Sequence, residues 1–292
     1  GTEYLVNGLQ NNEGTQDYKQ WAVNANTSMG SSLYGVGAIV VGAPYLLPFH
    51  NSFKDLTLEG QFFAIERPNK EISWDITNDK TIDNDGGAIA FRPSRPGTAA
   101  IVTGKISMQG ATSPKLLFDY YAQPGAKGSL GIELVKKDGS TTNFWTSDFS
   151  TMPAGAAKWN HVILDLPSEL LSQEYFRVRI RGAATASLES TPIYFDNINV
   201  IDPFQKDASI SMNTVESVKK GQSINLDIRV TNVGLDNIRG SKLIVTANNK
   251  EVHTSTIDED LLLMQQVKIP VAVKTTSLRS EEHTSELQSP EA

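Results

Sequence analysis

Apolar and polar residues alternate along most of this chain, with the period of two that is typical of strands burying one face. One segment places Phe176, Val178 and Ile180 on one face and Arg177 and Arg179 on the other. The same alternation recurs in residues 131–135, 224–230 and 242–247. The pattern therefore predicts strands along much of the chain.

Helical patterns are rare, and turn residues separate the strand-like segments at short intervals. The two best helical windows, residues 166–176 and 258–266, are both short. Gly, Pro, Asp and Asn favour turns because they adopt or preset the required backbone angles. Such residues occur together at Asp85-Gly86-Gly87, Pro124-Gly125, Asp138-Gly139, Pro153-Ala154-Gly155 and Asn248-Asn249. Short strands divided by turns predict an all-β chain of antiparallel sandwiches rather than an α/β enzyme fold.

Two segments mark domain boundaries. Residues 41–49 hold two prolines around an apolar patch, and proline is excluded from central strands, so this segment leads into a new domain. Residues 202–204 end one series of strands and begin another. These boundaries predict three pieces, residues 1–43, 44–203 and 204–277. The first is too short to bury a core of its own, so we expect it to be part of a larger domain.

Composition and charge exclude several classes of function. The chain has 292 residues, no cysteine and a formal net charge of −7. Without cysteine it has no disulfide framework, no cysteine-based zinc site and no thiol nucleophile. It has no stripe of Lys and Arg to bind phosphates, so we expect no nucleic-acid partner. Its apolar runs are shorter than the roughly 18–20 residues of a membrane helix, so we expect no membrane insertion within this fragment.

The C-terminal residues differ in character from the rest. Residues 279–292 read RSEEHTSELQSPEA, which is polar and has no apolar periodicity. The stretch from Arg279 to Pro290 resembles the translation of a sequencing-adapter oligonucleotide, and a natural disordered tail is the alternative. On the first interpretation, the native sequence is interrupted near Ser277 and residues 278–292 are a non-native tail.

The first piece resembles part of a common β module. Residues 17–32 read DYKQWAVNANTSMGSS and are similar to the last two strands of a fibronectin type III module, in which a Val-x-Ala alternation leads into a turn. Trp21, Val23 and Ala25 then share one face. The resemblance implies that residues 1–43 are a partial fibronectin type III module.

The middle piece carries five strand-like motifs in sequence. They are Ser113–Tyr121, Leu130–Val135, Trp159–Leu166, Phe176–Gly182 and Ile193–Val200. Their order and spacing resemble the MAM-like jelly roll of choice-of-anchor J and cleaved-adhesin domains, which occur in surface and secreted proteins of Bacteroidetes. The resemblance covers nearly all of residues 44–203 and implies a jelly-roll β-sandwich located outside the cell or on the bacterial surface.

The third piece contains a long strand that ends in a turn. Residues 218–234 read VKKGQSINLDIRVTNVG and are followed by the strand-like residues 241–247. This resembles the immunoglobulin-like CARDB domain, whose long strand ends in a Val-x-Asn-x-Gly turn, here Val230 to Gly234. The resemblance implies an immunoglobulin-like β-sandwich in residues 204–277, which we expect to be truncated.

The loop Asp83-Asn84-Asp85-Gly86-Gly87 is the richest in carboxylates, and calcium binds six to eight oxygen ligands. An EF-hand is excluded, because Gly86 at loop position 6 puts Arg92 at position 12, where a carboxylate is needed. Jelly rolls resembling this one hold a structural calcium with loop aspartates and the aspartate of the final strand. The resemblance therefore implies calcium ligands at Asp83, Asp85 and Asp196, although Lys54 replaces the acidic residue expected near the start. The alternative is a solvated Asp-Gly turn.

The chain offers little for catalysis. His50, His161 and His253 lie beside neither a Gly-x-Ser-x-Gly motif nor a His-Glu-x-x-His motif. We expect His161 to be an outward strand residue, because its neighbours Val162 and Leu164 claim the inner face. Glycoside cleavage needs two facing carboxylates, and Glu133 and Asp165 are candidates only because they alternate off the core. We therefore expect no catalytic residue in the fragment itself.

Five aromatic residues are candidates for a surface on which sugar rings stack: Trp74, Tyr120, Tyr121, Trp145 and Trp159. Large aromatic residues in sandwiches also serve as core, and the sequence leaves both roles open.

The sequence therefore predicts a non-catalytic adhesion or ligand-binding module of a secreted or cell-surface bacterial protein, with an extracellular glycan or protein as its ligand. Two alternatives stay open. In the first, the modules are accessory domains of a secreted peptidase or glycoside hydrolase whose catalytic domain lies outside this fragment. In the second, they are structural spacers.

Overall fold

Strands account for nearly all of the regular structure. The computed structural model describes residues 16–23, 26–27, 30–31, 35–56, 58, 62–66, 71–82, 86–152, 157–213, 221–247 and 249–274. Within these residues there are twenty strands and one short 3₁₀ helix, which confirms the predicted all-β fold. The chain divides into two units, residues 1–202 and 203–292.

The first unit contains fifteen strands among its described residues. They are β1 (Asp17–Val23), β2 (Asn26–Thr27), β3 (Gly30–Ser31), β4 (Gly35–Val41), β5 (Phe49–Asn51), β6 (Phe62–Glu66), β7 (Trp74–Thr77), β8 (Ala88–Phe91), β9 (Gly97–Thr103), β10 (Lys115–Tyr121), β11 (Gly128–Lys136), β12 (Thr141–Asp148), β13 (Trp159–Asp165), β14 (Phe176–Ala184) and β15 (Ile193–Ile201). β1 pairs with β4, and β2 with β3.

Two antiparallel sheets form the predicted jelly-roll sandwich. The first has the strand order β13-β10-β15-β8-β7, with β5 also paired to β15, and the second has the order β12-β11-β14-β9-β6. Their facing sides form one apolar core, because alternate residues of each strand point inward. In β14 the inward residues Phe176, Val178 and Ile180 are each no more than 1% exposed, as their alternation predicts.

Aromatic rings join the two sheets. Phe118 of β10 stacks on Phe195 of β15 at 5.2 Å between ring centroids. It also meets Trp145 of β12 edge to face at 5.1 Å. Gly182 of β14 lies under the ring of Phe91, where a Cβ atom would stand 2.6 Å from two ring carbons. A glycine at this inward position therefore leaves room for a phenylalanine from the opposite sheet.

A β-bulge interrupts β15 at the position where its pairing changes. Leu117 and Asp119 of β10 lie opposite Asn199 and Asp196, so β15 has one more residue over this interval. Asn197 has a positive φ of 50°. The extra residue keeps Phe195 and Ile198 in the core on both sides of the bulge. Before the bulge β15 pairs with β8, and after it with β5.

The second unit consists of two small sheets around a separate core. Strands β16 (Ala208–Met212), β17 (Ser223–Asn232) and β20 (Gln266–Lys274) form one, and β18 (Lys242–Ala247) and β19 (Lys250–Thr256) form the other. The core includes Ile228, Val230, Leu243, Ile257 and Val271. Within the predicted turn, Asn232 is fully buried and its side-chain amide donates to the carbonyls of Asp236 and Leu261 at 2.9 Å.

Only the first of the two sequence windows with a helical pattern contains a helix. The 3₁₀ helix Ser168–Ser172 lies inside the first window, whereas residues 258–266 contain a bridge at Leu261 and a turn rather than a helix. The side chains of Trp21, Val23 and Ala25, which the sequence places on one face, lie outside the described part of the structure. In the described residues we find no helix with the length and apolarity needed to cross a membrane.

Candidate functional site

The solvent side of the first sheet carries ordered rows of polar and aromatic residues. Residues directly opposite in antiparallel strands share a face. Trp159 of β13, Tyr121 of β10 and Tyr194 of β15 form one such row. The next row holds His161, Asp119 and Asp196 on the same three strands. The neighbouring residues Tyr120 and Phe118 point into the core, so the rows face away from it.

In the first row, the ring of Tyr121 contacts the rings of Trp159 and Tyr194. The centroid of the Tyr121 ring lies 5.9 Å from that of Trp159 and 6.1 Å from that of Tyr194. Trp159 and Tyr121 are partly exposed, whereas Tyr194 is 7% exposed, and burial raises the pKa of its hydroxyl. We call Trp159, Tyr121 and Tyr194 the aromatic row. The planes of Trp159 and Tyr194 are inclined at 59° and 72° to that of Tyr121, so the row presents separate ring faces and edges rather than one flat surface.

The loop after β7 places one cation, Lys80, beside the aromatic row. The ammonium of Lys80 lies 4.2 Å from the centroid of the Tyr121 ring, which is within the range of a cation–π contact. Arg92 donates to Asp79 at 2.9 Å. Hydrogen bonding to Thr77, followed by that to Arg92, lowers the pKa of Asp79. An ion pair thus joins the loop to the residue that follows β8, next to the half-buried Lys80.

A histidine and an aspartate form a second pair on this face. Nδ1 of His161 lies 2.7 Å from Oδ1 of Asp119, and the two side chains are 9% and 5% exposed. Their strands pair with these residues directly opposite each other. The prediction that His161 points away from the core is right, but the residue is held by a carboxylate rather than free in solvent.

The structure divides the five predicted aromatic candidates between two roles. Trp74 is 7% exposed and its ring lies 5.4 Å from that of Phe91 in the core. Tyr120 and Trp145 also pack against the core, with ring centroids 5.4 Å apart. Tyr121 and Trp159 lie together on the outer face. Sequence reasoning missed Tyr194, although its position between the inward Ile193 and Phe195 is the signal that would have found it.

The predicted calcium ligands are only partly described. Asp83 and Asp85 lie outside the described residues, whereas Asp196 is fully buried in β15. Its Oδ1 accepts from the backbone amide of Asn197 at 2.7 Å, and its Oδ2 from that of Ile82 at 3.2 Å. Ile82, which directly precedes Asp83 in the chain, therefore lies beside the Asp196 carboxylate.

Another loop reaches the same end of the sheet. Phe53 and Leu56 have positive φ angles of 55° and 51°. A Cβ atom at Gly87 would collide with the backbone carbonyl of Phe53, so this loop lies against the chain just after the acidic segment. The ring of Phe53 also contacts Phe195, the neighbour of Asp196. Asp196 and the backbone carbonyls of this loop are oxygen donors, the ligand type that calcium prefers.

Among the described residues, no group of three or more His, Cys, Asp or Glu side chains is placed to hold a metal ion. Lys54 and Asp55, at the position where the resemblance expects an acid, are both exposed.

The carboxylates considered for glycoside cleavage do not face each other. Glu133 belongs to the second sheet, where it binds Arg179 and, at 2.9 Å, Arg181. Asp165 belongs to the first sheet and pairs with Lys115. That hypothesis is therefore wrong, because the two residues alternate off the core on different sheets. His50 bonds to the amide oxygen of Asn199 at 2.6 Å.

Comparison with known proteins gives structural likenesses and no sequence family. No family profile matches the chain, and no curated protein matches it. Among solved structures, it is similar to carbohydrate-binding module CBM27-1 of Caldicellulosiruptor saccharolyticus, solved with mannohexaose. The identity is 15%, the TM-score is 0.41, and the match covers 53% of this chain and 97% of that one.

Two other solved structures are similar to this chain over about half of its length. The K1 cleaved adhesin domain of Lys-gingipain from Porphyromonas gingivalis W83 is 15% identical, with a TM-score of 0.41 over 52% of this chain and 96% of that one. The CBM22-1 xylan-binding domain of Paenibacillus barcinonensis is 10% identical, with a TM-score of 0.36 over 55% and 96%. The structural neighbours thus include carbohydrate-binding modules and cleaved adhesin domains.

Proposed function

We propose that the jelly-roll sandwich is a non-catalytic glycan-binding module of an extracellular or cell-surface protein, and that its ligand lies across the aromatic row. The observation that carries this proposal is the position of Trp159 and Tyr121, which lie side by side on the solvent face of a sheet. A partly exposed aromatic ring on a rigid sheet offers its own flat face to the apolar face of a sugar ring.

Polar groups next to the rings support a sugar ligand over a purely apolar one. Asp119 and His161 occupy the adjacent row, and Lys80 lies over Tyr121. Sugar hydroxyls need donors and acceptors in fixed positions, and the sheet supplies them from neighbouring strands. A protein ligand at the same face is the second possibility, and a spacer would have no ligand there.

A glycan array, followed by calorimetry with any glycan that binds, tests the proposal. Replacing Trp159 with Ala should weaken binding by about 30-fold, because an aromatic anchor at an interface contributes about 2 kcal/mol or more. The matched control is Phe204→Ala, which removes an aromatic side chain that is 75% exposed in the second unit. Absence of any glycan binding, or equal affinity of both variants, would overturn the proposal.

A structural calcium ion is a second part of the proposal. Asp83, Asp85 and Asp196 would bind it, and it would hold the acidic loop against β15. Support comes from the buried Asp196 carboxylate, whose Oδ2 accepts from the backbone amide directly before Asp83. If the ion binds the folded state alone, calcium raises the melting temperature with its concentration.

The calcium experiment compares melting with excess calcium and with a chelator. Wild type should melt higher with calcium, whereas the double variant Asp83→Ala, Asp85→Ala should show no difference. Asp75→Ala, which removes an exposed carboxylate from β7, should keep the calcium shift. A wild-type protein that melts at the same temperature under both conditions does not hold the ion.

Two other functions are open to this chain. Accessory domains of a secreted enzyme would bind the polymer on which the catalytic domain acts, which is compatible with a glycan site here. A spacer would give no hits on the array, so the same experiment separates it from a binding module.

A further inference from the structure

Lys80 is held in place at the edge of the aromatic row by contacts on both sides of it. The amide of Asp79 donates to the hydroxyl of Thr77 at 3.0 Å, and the Asp79 carboxylate binds Arg92. Two residues after Lys80, the amide of Ile82 donates to Asp196. The loop is therefore tied to the sheet before and after Lys80, and the Lys80 ammonium lies 4.2 Å from the centroid of the Tyr121 ring.

The charge of Lys80 has no carboxylate partner within the described residues. The two ion pairs described near the aromatic row do not include Lys80. Asp79 binds Arg92 at 2.9 Å, and Asp119 binds His161 at 2.7 Å. The Asp196 carboxylate accepts from backbone amides and lies buried beneath the loop. Lys80 thus brings a half-buried positive charge to a surface whose other groups are aromatic or already paired.

Lys80 lies beside an aromatic surface, and its ammonium has no carboxylate partner among the described residues. This combination selects for a ligand that has both a ring and a negative charge. Trp159 is the neighbouring ring, with its centroid 5.9 Å from that of Tyr121, so a sugar stacked on it lies next to Lys80. A hydrogen bond between charged groups is stronger than one between neutral groups, above all where water is partly excluded. A neutral sugar brings no opposite charge to the Lys80 ammonium.

We infer that the ligand of this face is an anionic saccharide, a uronate or a sulfated sugar, whose acidic group binds Lys80 while its ring stacks on Trp159. This inference rests on the proposed glycan-binding function and adds the class of glycan. It further implies that Lys80 determines the preference for acidic sugars, whereas Trp159 provides affinity for the sugar ring.

The test measures affinity for matched pairs of saccharides by calorimetry. The acidic members are oligogalacturonates, oligomannuronates and glucuronoxylan oligosaccharides, and each has a partner in which the carboxylate is chemically reduced to a hydroxymethyl group. Sulfated and desulfated galactan oligosaccharides form a further arm that distinguishes sulfate from carboxylate. Wild type should bind at least one acidic member about tenfold more tightly than its neutral partner. This preference should weaken as salt is added.

The variant Lys80→Met keeps an aliphatic chain over Tyr121 and removes the charge. It should lose the preference and bind the acidic and neutral partners alike. Lys127→Met removes one charge from an exposed position and should keep the preference. A simple loss of folding would lower affinity for both partners, so it cannot imitate this result.

Three results would overturn the inference. Neutral saccharides that bind as tightly as acidic ones would refute it and leave the glycan-binding function standing. A preference that survives in Lys80→Met would place the selecting charge elsewhere. Absence of binding to every saccharide in the panel would reject the inference, and absence of binding on the glycan array as well would reject the function on which it rests.

Discussion

Glu133 lies between two arginines on the solvent face of the second sheet, and its removal should destabilise the first unit. Its carboxylate binds Arg179 and Arg181, and the three side chains are 12%, 18% and 27% exposed. Breaking a buried ion pair lowers the free energy of unfolding by about 3–5 kcal/mol. An exposed ion pair contributes only about 0–1 kcal/mol to the free energy of unfolding. Because this triad is largely but not fully buried, we expect Glu133→Gln to cost about 2–3 kcal/mol.

Thermal unfolding followed by tryptophan fluorescence measures this cost in the first unit alone, since all four tryptophans precede Pro203. For a unit of this size, about 2–3 kcal/mol corresponds to a fall in Tm of roughly 4–12 °C. The matched control is Glu174→Gln, because Glu174 pairs with Lys137 at an exposed site. The control should barely change Tm.

The coupling within the triad gives a second readout. Adding Arg181→Met to Glu133→Gln removes one of the two uncompensated charges, so the double variant should be more stable than the sum of the single effects implies. Equal shifts for Glu133→Gln and Glu174→Gln would show that burial does not strengthen the triad, and would refute the reasoning.

Two further predictions concern packing and acid stability. Gly182→Ala should lower the free energy of unfolding by about 1–3 kcal/mol, because the added methyl group meets the ring of Phe91 in a filled core. An unchanged Tm would contradict this prediction. Asp79 should titrate below its ordinary pKa of 3.8 when followed by NMR, because Thr77 and Arg92 stabilise its charged form, and Arg92→Met should raise its pKa. The stability that this carboxylate adds is then present above pH 3.8 and is lost as the pH falls through the lowered folded-state pKa; a pKa at or above 3.8 would contradict the contacts.

Properties that depend on single strands could be predicted from the sequence. The alternation in residues 176–180 places three apolar side chains inward and two arginines outward, and the structure agrees. The inward positions of Val162 and Leu164 likewise put His161 on the outer face. Such patterns hold because each strand buries one face against a common core.

Properties that depend on the register between strands could not be predicted in this way. Asp119 and His161 are 42 residues apart, and their hydrogen bond exists because β10 and β13 pair with these residues opposite each other. In β15 a strict alternation would place Phe195 and Asn197 on one face, but the bulge changes the face after Asp196.

The aromatic row likewise could not be predicted from the sequence alone. Tyr120 and Tyr121 are adjacent in the sequence, and only the core contacts of one reveal that the other faces solvent. The role of Lys80 depends on a loop that hydrogen bonds fix to the sheet, and no periodicity encodes its position.

The pairing of β5 with β15 has a consequence for how this fold can be moved between proteins. Phe49, where β5 begins, lies opposite Val200, one residue before β15 ends. Opposed residues in antiparallel strands have Cα atoms about 4.5–5.5 Å apart. A sandwich whose two ends meet can be inserted into a surface loop of a host protein without separating the flanking chain, or circularly permuted through a short linker with new termini at the exposed Asp138-Gly139 turn. The same rows of side chains would then be displayed from a new position in a different chain.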